Sequence, residues 1–196
     1  MIAVVRDRQS GELDGEVLGR LAADHERIEA VAERLAALLE RTNSQAFAKE
    51  FLVHLEFVHE LCELLHFPLE DALLEIVLES GLTPSERRVV FVNLAQHQQI
   101  YADAVGVLGR WNFGTGVERG AMDDFRERAD AYVKAMRGHL EFEERHLQPL
   151  LRRHLTARDA RRIDMLMHDL LGTLVGKPLD RLAALDMASQ ALLATG

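Results

Sequence analysis

Cysteine is almost absent. Cys62 is the only one in 196 residues, which excludes an intrachain disulfide and a cysteine-built zinc site and fits a reducing compartment. Glycine and proline are modest at 13 and 4, against 48% hydrophobic and 28% charged residues, so the chain can bury a core and is not a disordered one. Its length suits a single domain. Long apolar runs are missing too. The opening MIAVVRDRQS has five apolar residues before Arg6, short of a signal-peptide core, and no later stretch is long enough to span a bilayer. We therefore expect a cytoplasmic protein with no membrane partner. Positive charge is in deficit, 23 basic against 32 acidic side chains, and the resulting net charge of -9 repels phosphate backbones and anionic lipids. Nucleic acid is not an expected partner. What the chain has in excess is histidine, nine of them.

Apolar residues recur at steps of three and four almost throughout, and no sustained alternation marks a strand. The expectation is an all-α chain. A first helix, near 15–40, carries the stripe Leu18, Leu21, His25, Ile28, Ala32, Leu35 and Leu39, followed by the turn residues Thr42, Asn43 and Ser44. A second, about 46–79, carries Phe51, Leu55, Val58, Cys62, His66, Leu69, Leu73 and Val77 and stops at Gly81, with Pro68 expected to kink it just after His66. Thr83, Pro84 and Glu86 form the N-cap, first-turn proline and capping-box acid of a third, which runs through Val90, Leu94, His97, Tyr101, Ala104, Leu108 and Trp111 to the FGTG connection. The fourth carries Phe125, Ala129, Tyr132, Met136, His139, Glu143, Leu147 and Leu150. Four long amphipathic helices with short links predict an up-down-up-down bundle. The expected organisation is an N-terminal segment 1–14, a bundle 15–156 and a C-terminal extension 157–196. That extension is two shorter helices split by Gly176 and Pro178, packed on the bundle or on a partner, and a homo-oligomer is compatible with it.

One histidine interrupts each stripe: His25, His66, His97 and His139. Helices rise about 1.5 Å per residue, so two residues in neighbouring antiparallel helices share a depth when the turn falls midway between them. His66 and His97 are equidistant from the Gly81 turn, and His97 and His139 from the FGTGVERG link. His25 and His66 fit less well, their midpoint lying just past Ser44. The second and fourth helices each add a carboxylate one turn on, Glu70 after His66 and Glu143 after His139. Two ionised carboxylates inside a bundle cost several kcal/mol unless compensated, and a divalent cation compensates them directly. Imidazole and carboxylate suit iron, manganese or zinc. His25 and His66 could serve one ion and His97 and His139 a second, with Glu70 and Glu143 bridging both.

Rival readings exist. A lone core histidine is ordinarily just hydrogen bonded, and an i, i+4 His–Glu pair is commonly a solvated surface contact. His59, with Glu63, starts another HxxxE and competes with His66, but the matching position in the fourth helix is Tyr132, so His59 is read as lying outside the ligand set. Glu56 with His59 and Glu143 with His146 are ExxH steps of the ferritin-like type, yet the third helix offers no acid between Val89 and Tyr101. His54, His146, His154 and His168 are expected at the surface or behind the ligands, His146 standing two turns after His139 on the same face.

The chain resembles the hemerythrin-like HHE cation-binding domains over roughly residues 15–156. The resemblance rests on DHERI at 24–28, HFPLED at 66–71, QHQQI at 96–100 and HLEFEERHLQPL at 139–150. It implies a non-heme centre of two iron ions with an oxo or hydroxo bridge, zinc or manganese being alternatives, held by His25, His66, Glu70, His97, His139 and Glu143. It implies, too, a small ligand such as oxygen, peroxide or nitric oxide, in sensing, storage or detoxification. Peroxidase-like, catalase-like or ferritin-like oxidase activity, or a metal that merely braces a signalling module, is compatible with the same ligands. Two departures matter. Oxygen carriers place a second histidine one turn after the first in the third helix, where this chain has Tyr101, a residue expected to tune or ligate the centre. Many relatives also have a polar residue directly after the second-helix histidine, where this chain has Phe67.

Overall fold

The computed structural model describes residues 10–40, 45–110 and 119–194. The turn signals Thr42 to Ser44, the FGTG link and Trp111 lie outside them. Helix α1 is Ser10–Leu39; it begins earlier than the stripe suggested and takes in part of the expected N-terminal segment. Helix α2 spans 45–78, α3 is Pro84–Arg110, α4 spans 119–154, α5 is Ala157–Leu174 and α6 is Lys177–Leu193. No strand occurs among the described residues, as the periodicity required. Thr83 and Glu86 form the anticipated capping box, with the Thr83 N–H donating to Glu86 Oε2 at 3.0 Å and the Glu86 N–H to Thr83 Oγ1 at 3.3 Å. Gly81 makes the α2–α3 turn at φ 79°, a conformation that side chains with a Cβ avoid.

Pro68 does not kink α2 in the way expected. The helix widens into a π turn, Cys62–His66, in which the Phe67 N–H donates to the Cys62 carbonyl five residues back. Helix α4 does the same at Glu143–Leu147, where the Gln148 N–H donates to the Glu143 carbonyl. In both helices a proline, Pro68 or Pro149, stands six residues after the start of the wide turn. Proline lacks a donor and collides with the carbonyl four residues back, and the wider turn relieves both problems without ending the helix.

The core is in two parts. One apolar cluster gathers Ile28, Leu35, Phe51, Leu55, Phe125 and Met136, and the other Leu21, Leu69, Leu73, Leu147, Leu150 and Ile163. The stripe histidines fall in the gap between them. Helix α5 adds Ile163 and Met167 to the second cluster, and α6 lies along α2, contributing Leu182 to the first. Both C-terminal helices thus pack on the bundle.

Candidate metal centre

Helix α1 contributes His25, α2 His66 and Glu70, α3 His97, and α4 His139 and Glu143. One turn separates each histidine from its acid, so both face the gap between the apolar clusters. His66, Glu70, His97, His139 and Glu143 are buried; the His25 side chain alone retains contact with solvent, at 14%. Candidate donor atoms form two groups, each within 4.8 Å: His25, His66, Glu70 and Glu143 in one, and Glu70, His97, His139 and Glu143 in the other. Both carboxylates belong to both groups. Glu143 lies 3.0 Å from His25 Nε2 and 2.8 Å from His139 Nε2, while Glu70 lies 3.1 Å from His97 Nε2 and 3.7 Å from His66 Nε2. His25 and His66 rings are 4.9 Å apart, as are His97 and His139.

With Nε2 turned inward, Nδ1 points away and is held from behind. His97 Nδ1 meets Asp71 Oδ1 at 3.1 Å, His139 Nδ1 meets Gln96 Oε1 at 3.1 Å, and His66 Nδ1 is 3.9 Å from Asp24 Oδ2. Each of these partners is a sequence neighbour of a ligand residue on the adjoining helix. The Asp71 and Gln96 contacts fix the imidazole tautomer that leaves Nε2 free to coordinate, while His66 Nδ1 is without a hydrogen-bond partner. Phe67, where a polar contact was missing, stacks on His97 at 4.0 Å with planes 16° apart and orients that ring instead.

The residues fit a pair of cations on their own chemistry. Nε2 of His25, His66 and His139 and both Glu143 oxygens are buried without a hydrogen-bond partner, close to one another. Lone pairs facing lone pairs in a dry interior need positive charge between them. Without metal, protons supply it. Burial alone would depress the His97 imidazole, but hydrogen bonds to Asp71 and Glu70 and the nearby Glu143 carboxylate outweigh that and push it up to about 11. Burial would raise Glu143, yet the His139, His25 and His97 imidazoles hold its carboxyl well below the usual range. His66 is likewise raised: burial opposes its charge, while Glu70 and Asp24 favour it and prevail.

Two openings reach the cluster. A cavity of about 780 Å³ between α1 and α4, lined by His25, Glu29, Lys134, Arg137, Gly138 and Glu144, exposes the His25 edge. A smaller one of about 310 Å³ between α2 and α3 is lined by Phe67, Asp71, His97 and Tyr101.

Other expectations need correction. Tyr101 is 44% exposed, with its ring 5.6 Å from His59, and lines the smaller opening beside His97. His59 stands with it, outside the cluster, and burial lowers its imidazole. His146 is exposed against Phe142 rather than behind His139, because the π turn between them rotates it off that face. That disposes of the ferritin-like ExxH pairing as well: Glu143 turns in and His146 turns out. His54 is fully buried, not superficial, with Nδ1 2.8 Å from Ser189 Oγ on α6. Asn93 escaped the sequence reading altogether. It is fully buried, one turn before His97, with Nδ2 3.1 Å from His97 Nε2. Its only trace is a polar residue breaking the α3 stripe between Val90 and Leu94.

Comparison with known families matches residues 16–151 to the hemerythrin HHE cation-binding domain. The chain belongs to that family. No curated protein and no solved structure gave a match. The HHE match covers all six donors and stops near the end of α4, leaving α5 and α6 as additions to the hemerythrin-like bundle. Among the described residues no helix is long and apolar enough to cross a membrane.

Proposed function

We propose that this hemerythrin-like domain holds two iron ions joined by Glu70, Glu143 and an oxo or hydroxo bridge, and that it meets oxygen, peroxide or nitric oxide in sensing, storage or detoxification. The observation that carries the reading is the pair of four-donor groups sharing both carboxylates. When bound, the iron pair would supply open coordination positions and redox equivalents to such a ligand. The chain's own residues do the rest. His25 and His66 hold one position and His97 and His139 the other; Asp71 and Gln96 fix the rings of the second pair; Leu21, Leu69, Phe67 and Met136 keep bulk water from the layers above and below. The His25 edge is where a small ligand reaches the centre from solvent, through the opening between α1 and α4.

Protein purified from iron-supplemented cells should contain about two irons per chain and show oxo-bridge charge-transfer absorption, bleached or shifted by nitric oxide or peroxide. A metal-free protein of normal stability would refute the reading. Peroxide turnover at the same centre is the second reading. Steady peroxide consumption, abolished in His139→Ala, distinguishes such an enzyme from a binder.

A further inference from the structure

Asn93 presents a problem that the six donors do not solve. Its side chain is fully buried and its Oδ1 has no hydrogen-bond partner. A buried orphan carbonyl is destabilising, so the amide needs a reason to be there. The two halves of the bundle show that packing alone does not require it. One turn before His25, the corresponding position on α1 is Leu21, equally buried and apolar. Among the described residues the amide's one hydrogen bond is with His97 Nε2, at 3.1 Å, and that nitrogen also faces Glu70. With His97 on a metal, Nε2 has neither a lone pair nor a proton to offer, and the amide needs another partner.

A half-turn of the amide exchanges its nitrogen and oxygen in place. Oδ1 would then stand about 3 Å from Nε2, which is the separation of two neighbouring donors on one ion with bonds of about 2.1 Å. Resting on the reading that the cluster binds two metal ions, we propose that Asn93 is a seventh ligand, its Oδ1 coordinating the ion held by His97 and His139. That ion then has five protein donors and its neighbour four.

Cobalt(II) tests this without reference to activity, because its visible absorption intensifies as coordination number falls. Metal-free full-length protein is titrated with cobalt and then challenged with a chelator. Asn93→Leu should weaken one of the two ions by 10-fold or more, leave the other unchanged and intensify the visible bands. Its metal-free melting temperature should equal or exceed that of the wild type. Asn93→Asp, which keeps the oxygen and adds charge, should hold the same ion more tightly than wild type and guards against a leucine variant that folds poorly. An Asn93→Leu protein that takes up both ions like wild type overturns the proposal. So does weaker binding with an unchanged spectrum, which would place Asn93 behind His97 rather than on the metal, or an Asn93→Asp variant that binds no more tightly. Wild-type protein that takes up no cobalt would instead fail the two-ion reading itself.

Discussion

Glu143 approaches His25, His97 and His139, imidazoles from three different helices, within 3.7 Å. It belongs to both four-donor groups. Removing it should therefore cost both ions, whereas removing His25 should cost one. Metal analysis of Glu143→Ala and His25→Ala after equilibration with iron checks this: close to zero for the first and about one per chain for the second. The same contacts set the pH response of the metal-free chain. Glu143, depressed from 4.5, contributes stability that is present above that pH and lost as pH falls through its lower folded value. His97, raised from 6.5 to about 11, contributes stability that is complete below 6.5 and declines as pH climbs toward 11. With a chelator present, the urea midpoint should fall between about pH 6 and about pH 9, and His97→Gln should flatten that fall. The six donors were legible in the sequence because a charged or titratable residue in an apolar stripe stands out. Asn93 was not: a neutral amide raises no alarm until the neighbouring helix is in place.

At the scale of the helix, the depth rule worked but needed a correction. Cα–Cβ bonds tilt toward the helix N-terminus, so in an antiparallel pair one tip moves away from the turn and its partner moves toward it. Side chains therefore meet when their midpoint lies slightly past the turn, as it does for His25 with His66, the pair that looked weakest by counting alone. The two π turns were beyond that arithmetic. Pro68 and Pro149 signalled a disturbance, but whether a helix kinks, stops or widens depends on the packing on either side, which no local window contains. Helix ends were more readable. The bonds at Thr83 satisfy first-turn donors of α3, and Thr83→Ala should lower unfolding stability by about 0.5–2 kcal/mol without changing metal content, a difference that chemical denaturation resolves.

In the whole molecule, α6 is tied to the bundle by side chains far apart in sequence: Ser189 to His54 at 2.8 Å, Asp186 to Arg27 at 2.8 Å and Arg181 to Glu60 at 3.2 Å. Such pairings have no signature in the chain, which is why His54 was expected elsewhere. Ser189→Ala would leave both nitrogens of a fully buried imidazole unpaired, at a cost of about 1–3 kcal/mol. Adding His54→Leu should recover much of that loss, and thermal unfolding of the single and double variants measures it. Because both four-donor groups include Glu143, from the last helix of the bundle, neither ion position is complete on a nascent chain emerging from the ribosome. His25, His66, Glu70 and His97 appear first, and they cannot form either four-donor group without α4. A pair of ions held as proposed would therefore find its full set of donors only once α4 has docked against the first three helices.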